Sequence, residues 1–259
     1  MSGKDDTGKE GRGAPENWFA DAFGVLYPVV YAHRTAEAAA PEAAFARTVT
    51  GLSASDCALD LCCGAGRHMV HLAGCAGFMA GLDYSRELLR LARGTMGPGA
   101  VLVRGDMRRI PFPPVFDVVF NFFTSFGYFD DAGNRRALGE IGRVLRPGGR
   151  LFMDYMNAER ELPRLQPRTE RMNGPWRILE RRWHDAEAGR VNKTVEVERD
   201  GQFAGRFTES VRCYNLGEMT GMLAGAGMVV EKVFGACDGG GFGPDAPRML
   251  LLCRRIKAE

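Results

Sequence analysis

The sequence predicts an α/β fold: a doubly wound, mostly parallel seven-stranded sheet with an antiparallel β insertion after the fifth strand. Three observations predict it. Between Cys57 and Met156, short apolar runs alternate with stretches whose apolar residues recur at helical spacing. Those runs end in, or just before, polar residues at Asp60, Asp83, Asp106, Asn121 and Asp154. From Trp176 the pattern becomes two-residue alternation with turn signals, until a helix and two more strands resume at Leu216.

The chain begins MSGKDDTGKEGRGAPE, which is polar and glycine-rich and predicts a disordered tail over residues 1–16. It lacks the apolar core of a secretory leader, so a cytoplasmic protein is expected. Residues 17–50 are expected to form an N-terminal helical lid. Phe19, Phe23, Tyr27 and Tyr31 fall on one helical face, and Pro28 interrupts that helix or starts a second. Tyr27, Tyr31, His33 and Arg34 precede the sheet, where they could close over its ligand.

The core is expected over 51–157 and 216–259. Cys57–Cys63 reads as the first strand and Arg67–Ala76 as the first helix. Between them, Gly64 and Gly66 allow a sharp turn and a close ligand approach. Phe78–Leu82 is the second strand, and Ser85 is placed to cap the helix Ser85–Arg93. Val101–Arg104 and Phe116–Phe122 are the third and fourth strands; apolar runs of this kind suit a parallel sheet covered on both faces. Asn134–Leu145 is a helix that Pro147-Gly148-Gly149 stops, and Arg150–Met156 is the fifth strand. The insertion, 158–215, contains three strands: Trp176–His184, Arg190–Arg199 and Gln202–Asn215, the last two joined by Asp200-Gly201. It leaves from the ligand rim, so it forms a cover or a subunit contact. Leu216–Ala226 is helical; Met228–Ala236 and Met249–Ile256 are the final strands, linked by the glycine-rich CDGGGFGPDAPR. Ligands of open α/β sheets bind outside the carboxyl ends of the strands, and this rim collects the polar residues.

A net charge of +2 gives no reason to expect nucleic acid, and no apolar run approaches the roughly 18 residues of a membrane span. The seven cysteines include no C-x-x-C pair, so buried free thiols are expected and a metal is not.

The set LDLCCGAGRH, GLDYS, RGDMRRIPF, FDVVFNFFTSFGYF and RVLRPGGRLFMD resembles, in order and spacing, the class I S-adenosylmethionine-dependent methyltransferases. The resemblance covers about Trp18 to Ile256. The FTSFGYF segment, the insertion and the GPDAPR loop resemble a bacterial small-molecule subgroup that includes N-methyltransferases of amino sugars and antibiotic intermediates. The resemblance implies a Rossmann-like sheet and S-adenosylmethionine as cofactor, with S-adenosylhomocysteine as product. It implies cofactor contacts from Tyr27, Tyr31, Arg34, Asp60, Cys62, Gly64, Gly66, Asp83, Tyr84, Ser85, Asp106, Met107 and Asn121. In that reading Asp60 holds the methionine ammonium, Asp83 accepts from both ribose hydroxyls, Tyr84 packs beside adenine, and Asp106 accepts from the adenine amino group with Met107 against the ring. Asn121 faces the methionine end. Phe126, Tyr214, Asp245 and Arg248 are expected at the acceptor rim, and Tyr128, Tyr155 and His184 are candidate bases.

The expected reaction is methyl transfer to a small organic acceptor, an amine or hydroxyl, by in-line displacement that rests mainly on positioning. A homodimer is compatible with it. A nicotinamide oxidoreductase fits poorly: Met69 stands where G-x-G-x-x-G needs its last small residue, and no Y-x-x-x-K pair is present. Action on RNA or protein lacks a basic run. A cofactor-binding partner subunit without catalysis is the remaining alternative.

Overall fold

The computed structural model describes residues 14–256. Of the expected tail, residues 1–13 lie outside the described residues. The sheet core consists of β1 (Cys57–Leu61), β2 (Phe78–Asp83), β3 (Val101–Arg104), β4 (Phe116–Asn121), β5 (Leu145–Met156), β10 (Met228–Phe234) and β11 (Arg248–Arg255). Their order is β10-β11-β5-β4-β1-β2-β3. β1 to β5 run parallel, and β11 is antiparallel to both neighbours. The seven-stranded, mostly parallel sheet is therefore as expected.

Both faces of this sheet are covered, which is why β4 reads apolar almost throughout. Val119 joins the core cluster that includes Leu138 and Ile141, while Val118 and Phe120 join Ala43, Ala46 and Leu72 on the opposite face. The second cluster lies under α3 (Ala36–Thr50), which Thr35 caps by accepting from the Ala38 N–H. α6 (Asp131–Val144) starts three residues before the expected Asn134 because Asp130 accepts from the Gly133 N–H. β5 starts at Leu145, earlier than expected, and runs through Pro147-Gly148-Gly149. The first crossover helix is shorter than expected. Only α4 (Met69–Leu72) is α-helical, followed by a 3-10 turn at Ala73–Cys75 with Gly74 inside it.

The aromatic stripe of 17–50 is not one helix. It divides into α1 (Trp18–Ala22), α2 (Tyr27–Val30) and α3, with Pro28 in the first turn of α2. Its contacts reach far along the chain. The Trp18 indole donates to the Tyr128 carbonyl at 3.3 Å, the Ser85 hydroxyl to the Phe23 carbonyl at 2.6 Å, and Asn173 to the Val29 carbonyl at 3.0 Å.

The insertion holds α7 (Ala158–Glu161) and a four-stranded antiparallel sheet: β6 (Arg168–Asn173), β7 (Trp176–Asp185), β8 (Arg190–Arg199) and β9 (Gln202–Arg212). β6 was not expected, because RTERMN has no buried residue and no apolar alternation. On one face the register stacks Glu180, Val195 and Phe207 in one row, and Arg182, Lys193 and Glu209 in the next. α8 (Leu216–Gly225) returns the chain to the core through a capping box, Asn215 with Glu218.

Candidate functional site

A cavity of about 510 Å³ opens at the carboxyl ends of the parallel strands. Its floor is the turns after β1, β2, β3 and β4; its walls are α1, α2 and the insertion sheet. Such a volume suits a nucleotide-sized ligand together with a small second molecule.

The turn after β1 is shaped by backbone conformation. Cys62, Gly64 and Gly66 have φ of 65°, 54° and 80°. A left-handed cysteine is strained, by roughly 1–2 kcal/mol. It persists because its N–H and that of Cys63 both donate to the Leu82 carbonyl, at 2.7 and 3.1 Å. Asp83 completes the turn: Oδ2 accepts from the Gly64 N–H at 2.8 Å and Oδ1 from the Ser85 N–H at 2.8 Å. Each oxygen keeps a lone pair for a ligand. Burial raises the Asp83 carboxyl above its ordinary value, and these backbone donors oppose it.

Asp60 is 1% exposed, and its Oδ2 has no hydrogen-bond partner. Burial, and then the charge of Asp83, push its pKa up to about 7. One strand away, Asn121 donates to the Leu61 carbonyl at 3.1 Å and the Ser125 carbonyl at 3.3 Å, and its Oδ1 is likewise buried without a donor. Each is a buried acceptor without a donor at the end of its strand.

The end of the cavity at the turns after β2 and β3 is aromatic. Phe19 meets Tyr84 at 5.1 Å and Phe129 at 5.5 Å between ring centroids, both edge-on, and Met107 adjoins them in the lining. Asp106 lines this end, but its carboxylate already accepts from Arg108, Nη2 to Oδ2 at 2.6 Å. Desolvation opposes ionisation of Asp106; the Arg108 bonds outweigh it and hold the carboxyl below its ordinary value.

At the opposite end, Phe123 is flanked by three guanidinium carbons: Arg34 at 4.2 Å, Arg67 at 5.0 Å and Arg248 at 5.2 Å from the ring centroid. Arg34 donates to the Tyr27 hydroxyl at 3.2 Å, while its Nε and the Nη2 of Arg67 are buried without acceptors. Glu42 on α3 anchors this corner, bonding His68 at 2.6 Å and Arg67 at 3.3 Å; His68 stacks on Phe122. Burial lowers the His68 pKa, although Glu42 opposes it.

The insertion sheet contributes a charged network that the sequence did not disclose. Lys193 contacts Glu209 at 2.8 Å, Tyr31 donates to Glu209 at 2.5 Å, and Lys193 also meets the Tyr31 hydroxyl. Glu180, 6% exposed, accepts from Arg182 at 2.6 Å and Thr169 at 3.0 Å, with Arg171 at 3.9 Å. Burial would raise its pKa, but Lys193 and Arg182 outweigh that and lower it.

Of the expected residues, Tyr27, Tyr31, Arg34, Cys62, Gly64, Asp83, Tyr84, Asp106, Met107, Tyr128 and Arg248 line the cavity. Asp60 and Asn121 lie at the strand ends beside it. Others are displaced for identifiable reasons. Gly66 forms the turn without facing the cavity, and Ser85 serves as helix cap, accepting from Leu88 at 3.1 Å. Tyr155 alternates to the other side of β5 from Asp154, is fully buried, and donates to the Arg212 carbonyl. His184 is exposed at the end of its strand, outside the lining. Phe126 packs in the core, and Tyr214 is buried against α6, donating to Asp131 at 2.6 Å. Asp245 is 89% exposed and pairs with Arg164, so the partner of Arg248 is Asp154, at 2.6 Å. The seven cysteines are free thiols, and the described residues hold no group of side chains that would bind a metal. Burial raises the Cys62 and Cys63 thiols well above their ordinary value, which keeps them protonated.

Residues 58–149 match a family described as "Methyltransferase domain". Over 157 residues the chain is 31% identical to the dTDP-3-amino-3,4,6-trideoxy-alpha-D-glucopyranose N,N-dimethyltransferase of Streptomyces venezuelae, covering 60% of this chain and 54% of that protein. It is 38% identical over 108 residues to the demethylmenaquinone methyltransferase of Mycolicibacterium vanbaalenii, covering 41% and 45%. The chain thus spans about half the length of these curated relatives. The fold matches the sugar N-methyltransferase KedS8 from Streptoalloteichus sp with a TM-score of 0.71 at 20% identity, covering 96% of this chain and 100% of that one. The chain thus shares the Rossmann-like fold of that neighbour, a seven-stranded mostly parallel sheet with a separate antiparallel sheet.

Proposed function

We propose that this chain binds S-adenosylmethionine in the cavity and transfers its methyl to the amine of a small organic acceptor. The observation that carries the reading is the ordering of the cavity along one axis. Asp83, Tyr84, Asp106 and Met107 form an adenosine end, and Asp60 and Asn121, each with an orphaned acceptor, stand at the ends of the strands beneath the cavity. Arg34, Tyr27 and Tyr31 meet the methionine carboxylate, and Glu180 and Glu209 face the space beyond.

The cofactor supplies a methyl already activated on a positive sulfur. The protein's part is then mostly orientation and exclusion of water. Phe122 and Phe123 make the wall beside the reacting centre apolar. An ammonium acceptor must lose a proton before its nitrogen attacks. Glu209, beyond Tyr31, can hold that proton. Burial, and for Tyr31 also the charge of Glu209, raises the phenols of Tyr31 and Tyr128 well above their ordinary value. Tyr31 donates to Glu209, and neither phenol acts as a base.

The relatives' names point to amino sugars and to a quinone as acceptors. Two carboxylates in the cavity favour the amine. The test is a thermal melt followed by a transfer assay. S-adenosylhomocysteine is expected to raise the melting temperature and NAD is not. Labelled methyl is expected on a dTDP-linked amino sugar and not on a demethylquinone. Transfer to the quinone alone would replace the amine reading; binding without transfer to any acceptor favours a partner subunit. Among the described residues, no helix is long and apolar enough to cross a membrane. The proposal includes a cytoplasmic location and a homodimer, the latter checked by light scattering.

A further inference from the structure

The turn after β4 is the most strained backbone of the cavity. Phe123 and Thr124 are consecutive, neither is glycine, and their φ values are 55° and 57°. A β-branched residue in the left-handed region is an outlier that the surrounding structure must enforce. Asp154, on β5, makes most of the enforcing bonds. Its Oδ2 accepts from the Phe123 N–H at 2.9 Å, and its carbonyl accepts from the Thr124 N–H at 2.7 Å. Its Oδ1 accepts from Arg248 Nε at 2.6 Å, and Arg248 Nη2 donates to the Thr124 hydroxyl at 2.7 Å.

The sheet makes this clamp possible. β11 runs antiparallel to β5 with Arg248 opposite Met156 and Leu250 opposite Asp154. Arg248 and Asp154 are therefore diagonal neighbours on one face. The clamp is buried, with side-chain exposures of 7% for Asp154 and 26% for Arg248. It acts on the methionine end of the cavity through two routes. The turn carries the ring on which Arg34 and Arg67 rest, and it directly follows Asn121, whose side chain bonds the Ser125 carbonyl.

We propose that Asp154 and Arg248 are positioning residues. They hold Phe123 and Thr124 in the left-handed conformation that sets the methionine-binding end of the cavity, without touching the ligand themselves. The inference rests on the reading that S-adenosylhomocysteine binds here.

Calorimetric titration of the full chain with two probes tests it. S-adenosylhomocysteine spans both ends of the site, whereas 5′-methylthioadenosine lacks the amino-acid end. Arg248→Met is expected to weaken S-adenosylhomocysteine about tenfold and to leave methylthioadenosine within about twofold. The rescue variant is Thr124→Gly, in the turn that the clamp holds. In the Arg248→Met background it should restore S-adenosylhomocysteine, because glycine adopts the turn without a clamp. Should Arg248→Met not fold, Arg248→Lys keeps the charge but not the bond to Thr124, and a threefold selective loss is expected. Equal weakening of both probes, no weakening of either, or failure of Thr124→Gly to rescue overturns the assignment. Absence of binding by the wild-type chain instead refutes the cofactor reading on which it rests.

Discussion

Asp60 gives the sharpest link between a buried charge and ligand binding. Its pKa of about 7 means that in the free protein about nine-tenths of the carboxyl is protonated at pH 6. Pairing with the ligand's ammonium requires the carboxylate. Binding at pH 6 should therefore release close to one proton, falling to about half a proton at pH 7. The apparent dissociation constant of S-adenosylhomocysteine should rise about fivefold from pH 7 to 6 and about tenfold more from pH 6 to 5. Stability shows the opposite face of the same shift. A carboxyl whose folded pKa lies above its unfolded value of 3.8 stabilises the fold fully below that value, and the contribution is lost as pH rises through 7. The span amounts to about 4 kcal/mol for a group this buried. Asp60→Asn is thus expected to weaken the ligand at pH 7.5, abolish proton release, and raise the melting temperature of the ligand-free protein at pH 8. Calorimetry in buffers of different ionisation enthalpy measures the protons. A wild-type titration at pH 6 with no proton release, or an Asn variant with an unchanged pH profile, would show the reasoning to be wrong.

Other expectations are simpler. Asp83→Ala removes a charged acceptor that also holds the Gly64 turn, and should weaken S-adenosylhomocysteine by 2–3 kcal/mol, roughly 30- to 150-fold, in the same calorimetric assay. Gly127 has φ of 87°, and a Cβ there would lie 2.8 Å from the Tyr155 hydroxyl and 2.9 Å from the Arg212 carbonyl. Gly127→Ala should lower stability by more than about 1 kcal/mol in denaturant unfolding; an unchanged midpoint refutes the packing argument. Glu209→Gln should reduce kcat/KM for the amine acceptor at least tenfold with unaltered S-adenosylhomocysteine affinity, and equal losses in both would reassign Glu209 to the cofactor.

The part of the fold legible in the sequence is the part where chemistry and periodicity agree. The inner parallel strands bury both faces and end at a polar rim, so an apolar run followed by an acid marks strand and site together, as at Asp83. The insertion breaks that agreement. One face of its sheet meets a polar cavity, so Glu180, Lys193 and Glu209 look like surface charges in sequence although they line the site. β6, with no buried residue, carries no apolar signal at all. Tyr155 was misplaced for a related reason: neighbouring residues of a strand point to opposite faces, and only Asp154 points to the rim. Arg108, bonded to Asp106 two residues before it, was within reach of the sequence as a short-range acid–base pair.

The hydrogen bonds of the amino-terminal helices have a consequence for how the molecule is made. Trp18, Tyr31 and Val30 find partners 110, 178 and 141 positions later in the chain. Residues 17–35 are synthesised before the turn after β4, on which Trp18 docks, and before β6 and β9, on which Val30 and Tyr31 dock. Part of what these helices dock on is thus made well after them, and helices this short do not persist alone. Closure of the cavity is a late step, after the parallel sheet has formed, and contacts of such long range are slow to close. The nascent chain consequently presents the turns after β1 to β4 open to solvent before the insertion sheet that walls the cavity exists.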